Sequence, residues 1–386
     1  MSLKPKSGSA PRAIFQEVGD SPRPLAQTGM IDARPKGARG AIRAWLIVLF
    51  VLVVAMIAVG GATRLTDSGL SITEWRPVTG AVPPLSDADW QAEFARYQAS
   101  PQFQNLNPNM DLAGFKSIYW WEWGHRQLGR VVGLVWAVGF VFFWATRRIP
   151  PGWTPRLLGL GLLGGAQGAI GWWMVASGLT NSDAVAVAST RLAVHLGLAF
   201  VILGLIAWYV LHLARPEAAL IQARRAGERR LFGAATGLMH LAFVQIILGA
   251  LVAGIDAGRG YTDWPWMGGR LIPADMWSES PVWRNLIDNP ATVQFIHRIA
   301  GYLLLAGAVA VWWRARSSSH PLTRAAFGLA ALMAGVQAAL GIVTVLHGAP
   351  LALGLAHQLG AVALWVLILR ARHRAAYPVV QSIRGA

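Results

Sequence analysis

Apolar residues gather into eight long runs, at 44–62, 124–145, 157–177, 192–213, 231–254, 292–313, 322–346 and 354–370, parted by polar or Pro- and Gly-containing segments. A helix crosses the hydrocarbon core of a bilayer with roughly 20 apolar residues, so the pattern predicts eight transmembrane helices. The fold class is an all-α polytopic membrane protein. Composition agrees: 54% of residues are hydrophobic, 13% are charged, and the mean hydropathy is +0.43, far from the mix of a soluble domain.

The runs repeat at the scale of four helices. His125-Arg126-Gln127-Leu128-Gly129 opens the second run and His297-Arg298-Ile299-Ala300-Gly301 opens the sixth. The third carries Gln167-x-x-x-Gly171 and the seventh Gln337-x-x-x-Gly341, after which His195 opens the fourth as His357 opens the eighth. The expected organisation is two pseudo-repeated four-helix bundles, residues 44–213 and 231–370, each with one histidine on its second helix and one on its fourth. The 63–121 connection is long and rich in Trp and Pro, its counterpart near 255–291 is shorter, and 1–43 and 371–386 read as tails, the first of them disordered.

A formal charge of +16 raises nucleic acid as a partner, but the charge is sorted by side. The two tails and the even-numbered connections hold 23 basic and 5 acidic residues, against 11 basic and 13 acidic on the opposite face. By the positive-inside rule the first face is cytoplasmic. Both termini are then cytoplasmic, the charge encodes topology, and no nucleic-acid partner is expected. The chain has no cysteine, which excludes thiolate-held haem, iron–sulfur clusters and Cys-based zinc sites.

Depth makes the histidines informative. His125 precedes Arg147 by 22 residues and His195 precedes Arg215 by 20, which at 1.5 Å per residue is a height difference of ~3 Å. For His297 to Arg314 and His357 to Arg370 the counts are 17 and 13, a mismatch of ~6 Å that tilt absorbs. All four lie in the outer half of the membrane. An interhelical hydrogen bond would explain one such histidine; two repeated pairs with matched flanks point to bis-imidazole haem ligation, His125 with His195 and His297 with His357. Zinc would require a third ligand that the pattern does not offer. His212, His320, His347 and His373 fall at interfacial or solvated positions, and His240 has no repeat partner.

One asymmetry separates the halves. Glu122 stands three residues before His125, on the same helix face, where Gln294 precedes His297. A carboxylate beside one haem only is what proton-transfer chemistry requires, and it makes Glu122 the candidate catalytic residue; the competing reading is a hydrogen bond to a loop or an ion pair with Arg126 or Arg130. Arg64, Arg126, Arg130, Arg191 and Arg298 lie at the outer surface as candidate partners for haem propionates, or as side chains that snorkel to the interface.

GGATRLTDSGLSITEWRPVTGAVPP from Gly60, EFARYQASPQF from Glu93 and NMDLAGFKSIYWWEWGHRQLGR from Asn109, together with the four histidines, resemble the haem A synthase family over about residues 40–372. The pattern is similar to the proteobacterial and mitochondrial branch, which lacks the loop cysteine pair of some other members. The resemblance implies an inner-membrane oxidoreductase that oxidises the C8 methyl of haem O to the formyl of haem A for terminal oxidases. It implies a haem b cofactor on His297 and His357, and substrate haem on His125 and His195 beside Glu122. Haem O synthase, an electron-transfer partner and self-association are the partners it brings into view. Two routes stay open: one axial histidine lets go so that oxygen reaches the iron, or electrons leave the macrocycle and water adds to the methyl carbon with Glu122 as base. The rival from residues alone is a di-haem electron-transfer cytochrome, which should place its haems near opposite faces, whereas both pairs here share one.

Overall fold

The computed structural model describes residues 38–180 and 185–379. Its helices, in chain order, are α1 (Arg39–Leu65), α2 (Asp87–Gln98), α3 (Pro101–Leu106), α4 (Leu112–Ala145), α5 (Thr154–Leu179), α6 (Ser189–Leu213), α7 (Glu217–Arg225), α8 (Arg229–Gly254), α9 (Pro290–Ala315), α10 (Pro321–Leu346) and α11 (Leu351–Ala376). Among the described residues eight of them, all but α2, α3 and α7, are long and apolar enough to cross a membrane. The protein is an all-helical, multi-pass membrane protein.

Three boundaries differ from expectation. Residues 39–43, expected in the N-terminal tail, are the first turn of α1, where Arg39 donates to the carbonyls of His212 at 3.1 Å and Arg215 at 2.8 Å. The last helix runs past 370 to Ala376, because His373 is buried against Trp208, His212 and Tyr377 instead of being solvated. The remainder of the two expected tails, 1–37 and 380–386, lies outside the described residues. Within the expected 63–121 loop, residues 112–121 are already helix. Asp111 caps α4 by accepting from the Gly114 amide at 2.8 Å, and Phe115 and Tyr119 pack on Trp90 of α2.

In the first half α1 packs on α4 and α6, with α5 between those two; in the second, α8 packs on α9 and α11, with α10 between them. The same order in both halves is consistent with a pseudo-repeat. The halves meet where α6 and α1 face α8 and α11, and α6 is the most buried of the spans. Lipid is as apolar as leucine, so close helix approach and hydrogen bonds must carry much of this packing. One device recurs. Trp45 donates to the Val135 carbonyl beside Gly139, Trp136 to Leu157 beside Gly161, Trp365 to Phe200 beside Gly204, and Gln358 to Ile57 beside Gly61. In each the glycine lies four residues after the carbonyl, where a side chain would cover it. A Cβ there would lie 1.9–2.8 Å from the donor side chain.

At the end of the bundle that carries the four paired histidines, Arg64 of α1 joins the halves. It pairs with Asp67 at 2.8 Å and Asp256 at 2.6 Å. The two aspartates occupy matching positions just past α1 and α8 and share a left-handed backbone, with φ of 51° and 53°, a conformation Asp tolerates better than most residues.

Candidate functional site

Each of the four histidines lies edge-on against a glycine of the neighbouring helix. A Cβ built on Gly60 would stand 2.8 Å from Cε1 of His125, on Gly171 2.9 Å from that of His195, on Gly249 3.1 Å from that of His297, and on Gly341 2.9 Å from that of His357. Only a residue without a side chain lets an imidazole lie this close to a helix. The pairs of helices are α1 with α4, α5 with α6, α8 with α9 and α10 with α11, so the same cradle is built four times.

The His297 and His357 rings stand 6.5 Å apart between centres at 79° to each other. Two imidazoles bound end-on to one metal at about 2 Å each have centres about 6 Å apart, so this pair fits a haem iron between them. Among the described residues no group of three or more His, Cys, Asp or Glu side chains converges as a metal site. His125 and His195 are within electrostatic reach of each other.

Three of the four histidines are held by a glutamine. The Nε2 of Gln167, Gln245 and Gln337 donates to the backbone carbonyl of His195, His297 and His357 at 3.0, 3.0 and 2.8 Å, and lies 3.2 Å from Nδ1 of the same residue in each case. Each glutamine precedes its cradle glycine by one turn. Gln167 and Gln337 stand out in sequence through the repeated Gln-x-x-x-Gly motif; Gln245 is an addition from the structure, and Gln245-x-x-x-Gly249 is its sequence signal. At the remaining cradle the corresponding residue is Met56.

Glu122 is 3% exposed and fully engaged. Its Oε2 accepts from the Ser71 hydroxyl and the Ile72 amide, both at 2.8 Å; its Oε1 accepts from Arg126 Nη2 at 2.6 Å and Nε at 3.1 Å. Arg126 continues to the carbonyls of Ile72 at 2.8 Å and Glu74 at 3.0 Å. In the other half Gln294, 2% exposed, accepts from Arg298 at 3.3 Å and donates to the Tyr261 carbonyl at 3.1 Å, while Arg298 reaches the carbonyls of Tyr261, Asp263 and Trp266. The two arginines thus pin the loop after α1 and the loop after α8 onto the helices that carry the histidines. The second loop has its own fixings. Backbone amides of Gly268 and Gly269 hold the Asp263 carboxyl below its usual range, and a hydrogen bond to Asp275, with burial, pushes the Tyr261 hydroxyl up to about 12.

The other candidate arginines are also engaged. Arg130 donates to the carbonyls of Pro77 and Arg76 and to Gln127. Arg191 donates to the Trp173 carbonyl at 2.7 Å and stacks over its ring, and Arg64 carries the two aspartates described above. His240 and His347 each bond a carbonyl one turn back, the local role their isolation in the repeat leaves them.

The chain matches the profile of the COX15-CtaA cytochrome oxidase assembly protein family over residues 43–369. It is 68% identical over 378 residues to the heme A synthase of Paracoccus denitrificans (strain Pd 1222), covering 97% of this chain and 99% of that one. To the heme A synthase of Ruegeria pomeroyi it is 64% identical over 379 residues, covering 98% and 100%. The heme A synthase of Roseobacter denitrificans is 60% identical over 380 residues, with the same coverage.

Proposed function

Since the chain belongs to the COX15-CtaA cytochrome oxidase assembly family, we propose that it is an oxidoreductase converting haem O to haem A by oxidation of the C8 methyl to a formyl. The observation that carries the reading is the fourfold histidine–glycine cradle, in which the rings of His297 and His357 face each other. His297 and His357 hold a haem b cofactor, and His125 and His195 hold the substrate. Haem iron bound in this way supplies one-electron redox chemistry to the oxidation. The chain's own residues orient the rings through Gln167, Gln245 and Gln337 and close the outer end with the two arginine-pinned loops. Glu122 is the proton-handling group, since among the described residues it is the buried carboxylate one helical turn from a cradle histidine. Arg64, Arg126, Arg130, Arg191 and Arg298 surround the end at which propionates would emerge, and each keeps N–H groups beyond those already bonded.

Purified protein supplied with haem O should yield haem A, seen by chromatography of extracted haems, while a constant fraction of haem b stays with the protein. Haem b alone, with haem O unchanged in the presence of oxidant and reductant, would favour a di-haem electron-transfer cytochrome. The partners that follow are haem O as substrate, surrounding lipid, haem O synthase, an electron-transfer protein and further copies of this chain.

The membrane is the bacterial inner membrane, with both termini cytoplasmic. A cysteine introduced by Arg225→Cys on α7 should react with an impermeant maleimide only after permeabilisation. Labelling in sealed cells would reverse the orientation.

A further inference from the structure

Neighbouring glycines of α1 serve both halves of the molecule. Gly60 cradles the ring of His125 on α4, where a Cβ would stand 2.8 Å from Cε1. Gly61 receives Gln358 of α11, whose Oε1 lies 1.9 Å from the place of a Cβ and whose Nε2 donates to the Ile57 carbonyl at 2.9 Å. Gln358 in turn directly follows His357. A short chain of residues therefore runs from a histidine of the second half to the cradle of a histidine in the first: His357 and Gln358 on α11, Gly61 and Gly60 on α1, then His125.

The matching interface of the pseudo-repeat is built differently. Counted from the cradle glycines and histidines, Gly61 corresponds to Ala250 on α8 and Gln358 to Leu196 on α6, and those two pack in an apolar cluster with Ala193, Leu251 and Val293. One turn nearer the loops the two interfaces are alike, with Leu65 of α1 against Gly354 of α11 and Leu192 of α6 against Gly254 of α8. Apolar helix faces slide in lipid at little cost. A hydrogen bond holds one register, because an amide parted from its acceptor there finds no water to replace it. Only the α1–α11 interface is keyed in this way at the level of the cradles. Such a bond between rigid helices is a physical means of carrying displacement from one site to another.

We infer that Gln358 is a positioning residue that couples the two haem sites, so that substrate haem binds more tightly once haem b is in place. With iron bound, His357 holds the turn of α11 that carries Gln358, and through Gly61 and Gly60 that turn sets the cradle in which His125 lies. The inference rests on the bis-imidazole reading above. It gives loading an order, cofactor before substrate. Linkage makes the effect run both ways, so substrate haem tightens haem b by the same factor.

The coupling is measured on full-length protein by titration with haem O, followed in the haem spectrum, with His125→Ala as the blank. His297→Ala removes haem b while leaving His357 and Gln358 in place, and it should weaken haem O binding by roughly 5- to 150-fold, the usual span of coupling between sites. Gln358→Met keeps the length of the side chain and its packing at Gly61 without the hydrogen bond. It should retain haem b, bind haem O about as weakly as His297→Ala does, and lose little more when the two changes are combined. Gly61→Ala, which displaces Gln358 from the opposite helix, should do the same. Transfer of haem b to apomyoglobin gives the reciprocal measurement: bound haem O should slow it in wild type and not in Gln358→Met. Losses that multiply in the combined variant, or transfer slowed equally in both proteins, would overturn the inference and make Gln358 a packing contact. If instead His297→Ala keeps haem b with an unchanged low-spin spectrum, the ligand reading itself fails and the inference falls with it.

Discussion

His297→Ala and His357→Ala are each expected to strip the protein of its stably bound haem b. The two rings face each other at 6.5 Å between centres, each backed by a glycine and held by its own glutamine. Among the described residues no third histidine or carboxylate stands near enough to form a metal-binding group with them. Loss of a bond behind a ligating histidine commonly costs 10- to 100-fold in affinity. Loss of the ligand itself should exceed roughly 100-fold, and haem should not survive detergent extraction and chromatography. The pyridine haemochrome and the low-spin spectrum of the purified variants measure this. His240→Ala serves as the control, since its ring is exposed and bonds only the Thr236 carbonyl. Full haem b with an unchanged spectrum in both cradle variants would remove the ligand assignment.

The features that sequence exposes here are those with a period or a partner within one helix. Apolar runs of membrane-crossing length stand out because lipid leaves them no alternative. The His-Arg motifs, and Glu122 against Gln294, stand out because residues three or four apart share a helix face. Gln245 is not singled out, although it shares the spacing of Gln167 and Gln337. Its meaning arises only when a side chain on one helix meets a histidine on another. The arginines illustrate the same limit. Arg126 and Arg298 are placed by the carbonyls of loops whose course no pattern encodes. His373 read as a tail residue because charged neighbours surround it, yet the rings of Trp208, His212 and Tyr377 enclose it.

For Glu122→Gln the expected result is retained haem with lost chemistry. The substitution keeps size and helix and copies what Gln294 is in the second half, where an amide oxygen suffices to hold Arg298 at 3.3 Å. The single oxygen of the new amide can take Arg126 in the same way. Its nitrogen then faces the Ile72 amide and the Ser71 hydroxyl, both of which now donate to Oε2, so the backbone amide is left without an acceptor at a cost of about 1–3 kcal/mol. That cost should appear as a lower thermal midpoint. It should not appear as lost haem, since no ligand or cradle glycine is touched. Haem A formation, by contrast, should fall by roughly 100- to 10,000-fold, the range a positioned acid or base contributes, with haem O or a partly oxidised haem accumulating. Ser71→Ala separates the two effects, because it removes one bond to the carboxylate and leaves the ionisable group in place. If Glu122 only pins the loop, Ser71→Ala and Glu122→Gln should lower stability and activity in proportion. If Glu122 moves a proton, Ser71→Ala should lose stability while keeping most of its activity. Gln294→Glu should add no haem A formation, because the haem beside it is the cofactor. Near-normal haem A from Glu122→Gln would make the carboxylate a structural brace for Arg126 and leave proton transfer to groups bound at the iron.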